Sequence, residues 1–277
     1  MSNVNVLLKH APLGKQSSYI SHYQPGLLFP ISRASKRDEI GISSALPFYG
    51  NDIWNAFEVS WLNAKGKPIV GAAEFFFPCE SPNIIESKSF KLYLNSLNNT
   101  SFNSFAEVKK ILARDLSEAA GAVVSVKLFP LSHAAVNIAQ QFDGICLDDL
   151  DIACDTYTTQ PEYLATENNA ITETLHSDLL KSNCLVTGQP DWGSLQITYT
   201  GKQINHAGLL KYIVSFRNHN EFHEQCVERI FMDVMTHCQP EKLFVYARYT
   251  RRGGLDINPY RANYSLNDIE NQRLFRQ

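Results

Sequence analysis

A cysteine and an aspartate stand close together in the second half of the chain, in the run SNCLVTGQPDWG. Asp191 follows Cys184 by seven positions, and turn-forming residues lie between them. A thiol is a strong nucleophile only as its thiolate, which is a minor species at neutral pH, so a nucleophilic cysteine needs a neighbour that accepts or stabilises its proton. This spacing allows Cys184 to act as a nucleophile with Asp191 as its acid/base partner. The alternative is a small buried cysteine near a turn aspartate.

A second polar group, the run HNEFHE, begins at His219 and leads into a predicted helix. His219 and His223 are four residues apart, but Glu221 does not directly follow His219 as in a His-Glu-x-x-His zinc motif, and no third ligand is evident. We therefore predict no metal site. His223 and Glu224 are predicted to hydrogen-bond a polar ring, because a carboxylate can accept two N–H donors from a guanine-like edge. Ordinary polar residues of a helix start are the alternative.

Basic residues mark two further places. The octad ESKSFKLY, beginning at Glu86, combines a carboxylate, two hydroxyls and two ammonium groups at the start of a predicted helix, where free N–H groups favour anions. Arg248, Arg251 and Arg252 precede Gly253 at the end of a predicted strand, which suits a phosphate contact. For both places, a solvated basic surface is the alternative.

The first half of the chain shows a change of hydrophobic period. Residues 1–51 have no sustained hydrophobic period and are predicted to form an ordered arm over the surface. The runs flanking Asn63–Gly66 predict a hairpin over 55–77 with its second strand ending near Pro78. Helical spacing then predicts helices over 86–97 and 104–120, the second ending at Gly121, followed by a strand over 122–129.

The second half is predicted to repeat this order after a polar linker over 156–169. The expected elements are a strand over 193–199, a turn at 201–202, a strand over 209–216, a helix over 221–237 and a strand over 243–249. Phe222, Cys226, Ile230 and Val234 form an i, i+4 ridge on that helix. Hairpin, helix and returning strand in each half predict an α+β fold with two tandem units, at residues 1–155 and 156–277.

The composition excludes several classes of protein. The 277 residues carry a net charge of −3, and 44% are hydrophobic, so the sequence lacks the basic field that nucleic-acid binding requires. No apolar run is long enough for a membrane span, and the start of the sequence lacks a secretory signal pattern, so we expect a cytoplasmic protein. Six scattered cysteines without a Cys-x-x-Cys pair are expected to be reduced thiols. No Gly-x-Gly-x-x-Gly follows a predicted strand, so a Rossmann dinucleotide site is not supported.

Together these residues resemble the NADPH-dependent 7-cyano-7-deazaguanine reductases, the nitrile reductases of the QueF family, in their long, two-module form. The octad at Glu86 resembles the family signature Glu-Ser-Lys-Ser-x-Lys-x-Tyr, and residues 182–192 resemble its catalytic stretch. The segments LGK at 13–15, LLFP at 27–30 and DIW at 52–54, with the His223-Glu224 pair, fit as well.

This resemblance implies tandem tunnelling-fold (T-fold) modules, with antiparallel sheets and helices packed on one side, usually paired as a homodimer. It implies reduction of the nitrile 7-cyano-7-deazaguanine to 7-aminomethyl-7-deazaguanine by two NADPH, through a thioimide on the cysteine, in the biosynthesis of the tRNA modification queuosine. By position, the implied catalytic residues are Cys184 and Asp191. The implied substrate contacts are Ile85, Glu86, Ser87, His223 and Glu224, and the implied NADPH contacts are Ser87, Lys88, Arg252 and Gly253.

Three other functions remain open from the residues. A zinc-dependent T-fold enzyme of the cyclohydrolase type would act on a pterin or purine, but needs a cysteine and histidine ligand set. A nitrilase-like or amidase-like cysteine hydrolase would form the same thioimide and hydrolyse it with water. A purine-binding module without catalysis would use Cys184 only structurally.

Overall fold

The computed structural model describes residues 19–43, 45–133, 138–266 and 269–277, and the chain divides into two compact units. Of the described residues, unit 1 holds 19–43, 52–133 and 251–256, and unit 2 holds 45–51, 138–250, 257–266 and 269–277. Residues 138–155 thus group with unit 2. The division into modules at residue 155 stays a prediction, and the LGK segment at 13–15 lies outside the described residues.

Unit 1 is built on a hairpin, as the sequence predicts. Strands β2 (Asn51–Leu62) and β3 (Pro68–Pro78) are neighbours in the sheet. In the connecting turn, the Asn63 side chain accepts hydrogen bonds from the N–H groups of Lys65 and Lys67, and Gly66 has a φ of 74°. Strand β5 (Ser125–Pro130) pairs antiparallel with β3, so β3 is the central strand. Two short strands, β1 (Pro30–Ser32) and β4 (Asn83–Ile85), pair separately.

The helices of unit 1 are α1 (Ala34–Glu39), α2 (Ser87–Ser96) and α3 (Phe105–Ala120). The hydroxyl of Ser104 caps the start of α3 by accepting the N–H of Glu107, and Gly121 ends the helix with a φ of 74°. The buried stripes follow the predicted spacing, with Phe90, Tyr93, Leu94 and Leu97 along α2 and Val108, Leu112 and Leu116 along α3. The predicted helices and the returning strand are therefore confirmed.

Unit 2 has a larger sheet with the strand order β11-β10-β9-β8-β7. Its strands are β7 (Ile145–Cys146), β8 (Thr166–Asn183), β9 (Pro190–Ile204), β10 (Lys242–Tyr249) and β11 (Leu255–Ala262). All pairings in this order are antiparallel except that of β7 with β8. Separately, β6 (Ile138–Ala139) pairs in parallel with β12 (Arg273–Leu274). The fold class is therefore α+β, with antiparallel sheets and helices packed on one side, as predicted.

Two local predictions in unit 2 are wrong. Residues 209–216 do not form a strand, because 209–215 lie in α4 (His206–Ser215) and Phe216 is its C-cap. Asn205 caps the start of this helix by accepting the N–H of Gly208. Leu209, Tyr212, Ile213 and Phe216 have the i, i+3, i+4, i+7 spacing of one helix face, and all are buried. The hairpin turn lies at 184–189, whereas the predicted turn at 201–202 falls within β9.

The remaining elements of unit 2 agree more closely with the prediction. The predicted linker is only partly irregular, since β8 begins at Thr166. Helix α5 (His223–Cys238) carries the predicted ridge, with Cys226, Ile230 and Val234 fully buried. Within the described residues, the hairpin of each half is followed by two helices and a returning strand, which repeats the predicted order with one helix more in the second half.

Candidate active site

Cys184 lies immediately after strand β8, at the start of the hairpin turn. Its N–H donates to the Gln189 carbonyl at 2.9 Å, and its own carbonyl accepts the N–H of Gly188 at 2.9 Å. Gly188 has a φ of 67°, which glycine adopts without strain. The cysteine is 8% exposed. The turn therefore holds the sulfur at the end of the sheet in a largely enclosed position.

Asp191 lies on the same face of the hairpin as Cys184. In the β8–β9 register, Ser182 is opposite Asp191, and Asn183 is opposite Pro190. Side chains alternate between faces along a strand, and the hydrogen bond from Cys184 to Gln189 continues the pairing one residue past Asn183, so the backbone places Ser182, Cys184 and Asp191 on one side. Asp191 is 4% exposed and Ser182 is fully buried. The hairpin thus brings a buried thiol and a buried carboxyl group to one face of the sheet.

His223 joins this face from the first position of α5. Its Nε2 lies 3.5 Å from Oδ2 of Asp191, and its ring lies 4.0 Å from the Tyr249 ring, centroid to centroid. The Tyr249 side chain is itself buried, and burial raises its pKa well above the usual range, with nearby Cys226 and Asp191 adding to the effect. From the sequence, His223 is predicted only to bind the substrate ring. Its contact with Asp191 joins residues 32 positions apart, and no local pattern indicates it.

Polar side chains cluster on this buried face. The Tyr249 hydroxyl interacts with the Ser182 hydroxyl and the Cys226 thiol. Nε2 of His223 makes no hydrogen bond within the described residues and has only the 3.5 Å contact with Asp191. Buried polar groups are nearly always hydrogen-bonded in folded proteins, so this imidazole nitrogen is available to a ligand. Glu224, the neighbour of His223, is 2% exposed.

Within the described residues, His219, Glu221 and Cys226 place potential metal-ligating atoms within 4.8 Å of one another. The carboxylate of Glu221, however, accepts two hydrogen bonds from Arg229, at 2.9 and 3.0 Å, and lies 2.9 Å from Nε2 of His219. Burial raises the pKa of the Cys226 thiol well above its usual range, which favours the protonated form. A guanidinium held against the carboxylate opposes a bound cation, so this cluster is better described as an ion-pair network than as a metal centre.

In unit 1, the signature octad forms the start of α2, and Glu86 is its N-cap. The Glu86 carboxylate accepts the N–H groups of Lys88 at 2.7 Å and Ser89 at 2.8 Å. Burial raises the pKa of Glu86, although these two hydrogen bonds act in the opposite direction. Glu86 and Ile85 are buried, whereas Ser87 and Lys88 are half-buried. The carboxylate thus satisfies helix N–H groups that the sequence analysis leaves free for an anion.

The other predicted cofactor contacts, Arg252 and Gly253, lie in a tight turn of unit 1. Arg252 and Leu255 exchange backbone hydrogen bonds, at 2.9 and 3.2 Å, and Gly253 has a φ of 60°. A Cβ atom at Gly253 would lie 2.5 Å from Nζ of Lys91, the second lysine of the octad. The structure therefore brings Lys91 to the predicted phosphate-binding turn. Lys91 has no role among the predictions from sequence, although its place in the signature octad is a local signal for one.

Comparisons with known proteins match both halves of the chain to the family that the sequence motifs resemble. One matching family model is described as nitrile reductase, 7-cyano-7-deazaguanine-reductase N-term, over residues 19–128, and another as QueF-like protein, over residues 190–268. The NADPH-dependent 7-cyano-7-deazaguanine reductase of Burkholderia multivorans is 59% identical over 271 residues, covering 97% of this chain and 99% of that protein. The one of Legionella pneumophila is 57% identical over 274 residues, covering 98% and 96%.

The chain belongs to the 7-cyano-7-deazaguanine reductase family. Within the ranges matched by the two models of this reductase family, residues 85–88 fall in the first, and Asp191, His223, Glu224, Arg252 and Gly253 fall in the second. Cys184 lies between the two ranges.

One solved structure, the apo form of the archaeosine synthase QueF-Like, aligns with 36% of this reductase family member and 99% of its own chain. The sequence identity is 14% and the TM-score is 0.31, which is too low to inform the fold or the site. Among the described residues, no helix is long and apolar enough to cross a membrane.

Proposed function

We propose that this chain reduces the nitrile of 7-cyano-7-deazaguanine to the aminomethyl group of 7-aminomethyl-7-deazaguanine, using two NADPH, within queuosine biosynthesis. Membership of the reductase family at 57–59% identity over nearly the whole chain supports the reaction. The grouping of Cys184, Asp191 and His223 on one buried face of unit 2 supports its chemistry. Among the described residues, the possible metal-ligating cluster is held by Arg229, so a zinc-dependent reaction is not favoured.

The first proposed step is addition of Cys184 to the nitrile. A bond forms between sulfur and the nitrile carbon, one π bond of the C≡N group breaks, and the thiol proton is transferred to the nitrogen. The product is a thioimide, and no oxidation or reduction has occurred. A nitrile is a poor hydride acceptor, whereas a thioimide is a more electrophilic C=N group, so the covalent step divides one difficult reduction into easier ones.

We propose that Asp191 moves the proton in this step and that His223 assists it. The carboxyl group lies on the same face as the sulfur, and the imidazole lies 3.5 Å from its Oδ2. An acid or base held near the reacting atoms typically contributes a factor of about 10² to 10⁴ to a rate. The same groups then serve the later steps, in each of which a hydride adds to the carbon and a proton adds to the nitrogen.

The cofactor supplies the hydride at each of the two reductions when it is bound. Between them, the carbon–sulfur bond breaks, the thiol is regenerated and an imine remains. The second hydride and its proton convert the imine to the amine, so the balance is two hydrides and two protons per nitrile. An imine hydrolyses in water, and the enclosed position of Cys184 suits a site that keeps water away from it.

The chain's own residues fit a phosphate-bearing cofactor at the turn of unit 1. Gly253 exposes backbone without a side chain, Lys91 places its ammonium group beside that turn, and Arg252 lies next to it. A cationic side chain next to exposed glycine backbone suits a phosphate. We propose that Arg252 and Gly253, with Ser87 and Lys88 at the start of α2, contact NADPH.

Replacement of Gly253 by alanine is expected to raise the KM for NADPH several-fold with a smaller change in kcat. The new methyl group would displace the Lys91 ammonium group, and an alanine at a φ of 60° is strained by roughly 1 kcal/mol or more. Gly66→Ala is the matched control, since Gly66 has a φ of 74° with nothing within 4 Å of the new Cβ. Steady-state kinetics with varied NADPH would contradict the role if both variants changed KM equally or neither did.

From the family resemblance, we further propose His223 and Glu224 of unit 2 as contacts of the deazaguanine base, and likewise Ile85, Glu86 and Ser87 of unit 1. Buried carboxylates suit a ring that offers several N–H donors, and Glu86 and Glu224 are both almost fully enclosed. The small-molecule substrate follows from the family. We also propose that the chain acts as a homodimer in the cytoplasm without binding nucleic acid directly, which rests on the family resemblance and on the low net charge.

An assay of the purified protein with 7-cyano-7-deazaguanine and NADPH tests the function. We expect two NADPH to be oxidised for each 7-aminomethyl-7-deazaguanine formed, measured by absorbance and mass spectrometry. Release of ammonia without cofactor oxidation would point to a hydrolase. Activity that needs stoichiometric zinc and is lost on chelation would point to a cyclohydrolase-like enzyme.

A further inference from the structure

The residue before the nucleophile is held by the segment that leads into α5. The N–H of Asn183 donates to the His219 carbonyl at 2.8 Å, and its carbonyl accepts the N–H of Glu221 at 3.1 Å. Its side-chain amide donates to Oδ1 of Asn220 at 3.1 Å. Asn183 and Asn220 thereby form a parallel bridge. The end of β8, which carries Cys184, is thus attached directly to residues 219–221.

The same segment leads directly into the residues proposed to bind the base. His223 follows Glu221 by two positions and begins α5, and Glu224 is the next residue. Residues 219–221 therefore form a backbone link between the strand end that carries the sulfur and the His223-Glu224 pair. A displacement of this segment changes the distance between nucleophile and substrate without altering either group chemically.

Glu221 anchors this segment to the middle of α5. Its side chain is 2% exposed, and its two oxygens accept hydrogen bonds from Nη2 and Nε of Arg229 at 2.9 and 3.0 Å. Nε2 of His219 lies 2.9 Å from the same carboxylate. Burial acts to raise the pKa of Glu221, but the hydrogen bonds from His219 and Arg229 outweigh it and lower the pKa to about 2. The carboxylate is therefore ionised throughout the neutral range, and the anchor is a fork-shaped ion pair of defined geometry.

We propose that the His219–Glu221–Arg229 cluster is a positioning device that sets the distance and angle between the Cys184 sulfur and the bound nitrile. The inference rests on the proposed function. The three residues are positioning residues, since they act through Asn183 on one side and through the start of α5 on the other. A reacting pair displaced by about 1 Å can lose a factor of about 10² in rate, so the cluster is expected to affect covalent addition far more than base affinity.

The chain contains a matched control for this ion pair. Glu228, also on α5, is 1% exposed and lies 2.8 Å from Nη2 of Arg261 in a buried glutamate–arginine pair. Arg261 also donates to the carbonyls of Tyr260 and Asn51, away from residues 219–221. Removing either carboxylate leaves a guanidinium short of its partner, fully buried for Arg261 and half-buried for Arg229, and such a change is destabilising. Glu228→Gln thus reproduces the loss of stability without disturbing the attachment of Asn183.

The test compares Glu221→Gln with Glu228→Gln in three measurements. The rate of covalent adduct formation is followed by mass spectrometry after mixing with 7-cyano-7-deazaguanine without NADPH. Base affinity is measured by calorimetry with each change placed in a Cys184→Ala background. Stability is measured as the urea midpoint. We expect Glu221→Gln to slow adduct formation about 10- to 100-fold while base affinity changes less than about 3-fold. Glu228→Gln is expected to lower the urea midpoint and to leave the adduct rate within about 3-fold of the unaltered protein.

Arg229→Lys provides a second variant if Glu221→Gln does not fold. It keeps the positive charge but loses the two-pronged geometry, so we expect an intermediate slowing. Equal slowing by the Glu221 and Glu228 variants, or none by the Glu221 and Arg229 variants, would overturn the positioning role while leaving the proposed function intact. Absence of any adduct with the unaltered protein would instead overturn the proposed function, and this inference with it.

Discussion

Cys184→Ala is expected to form no covalent adduct with 7-cyano-7-deazaguanine and to lose nitrile reduction by roughly 10³-fold or more. Without the sulfur there is no thioimide, and the intact nitrile would have to accept a hydride directly. The folded structure and the base affinity should persist, because the change removes a single sulfur at a turn whose hydrogen bonds involve the backbone of residue 184. Intact-protein mass spectrometry gives the adduct, and calorimetry gives the affinity for the base.

Cys238→Ala is the control for this experiment. Cys238 ends α5, is 4% exposed and, like Cys184, is a free thiol of unit 2. Its replacement should cost some stability through the lost volume and leave the adduct unchanged. Adduct formation by Cys184→Ala, or its loss in Cys238→Ala, would contradict the assignment of the nucleophile. Retention of activity together with reduced stability in Cys184→Ala would indicate a structural cysteine.

Asp191→Asn is expected to slow adduct formation by about 10² to 10⁴-fold while leaving base affinity nearly unchanged. The amide has almost the same shape as the carboxyl group, so the hairpin and its register are preserved, but it cannot take up or release a proton in this pH range. The contact with His223, now 3.5 Å from Oδ2, also loses its charge. Rapid mixing with the nitrile in the absence of NADPH isolates this step from both reductions.

Asp233→Asn serves as the comparison for that change. Asp233 lies on α5 and accepts a hydrogen bond from the Tyr212 hydroxyl at 2.6 Å, so its replacement alters a part-buried hydrogen bond and not the face that carries Cys184. We expect an adduct rate within about 3-fold of the unaltered protein. If Asp191→Asn reacts as fast as Asp233→Asn, the proton at the nitrile nitrogen is delivered by another group.

Local features of the sequence were sufficient to predict most of the helices, strands and turns. The Asn63–Lys67 turn, the apolar stripes of α2, α3 and α5, and the Gly121 stop each depend on residues within a few positions of one another. The error at 209–216 arose because a short, nearly continuous apolar run fits both a buried strand and a buried helix. The Asn205 cap, which resolves the ambiguity, is a local signal.

The candidate site residues could also be predicted from the sequence alone. The spacing of Cys184 and Asp191, the octad at Glu86 and the glycine turn after Arg252 were sufficient to name the family, and the family relationship is confirmed. Their individual roles stay predictions. The hydrogen-bond and ion-pair partners of each residue could not be predicted from the sequence, because tertiary packing determines which side chains meet.

The tertiary structure alone decided three relationships: the contact of His223 with Asp191, the approach of Lys91 to Gly253, and the attachment of Asn183 to the segment anchored by Arg229. Most of them join residues far apart in the chain. Hydrogen bonds and ion pairs act over about 3 Å, so they depend on how strands and helices pack. A linear pattern of residue types specifies which elements form and which groups can react, but the distances between groups on different elements exist only once the chain has folded.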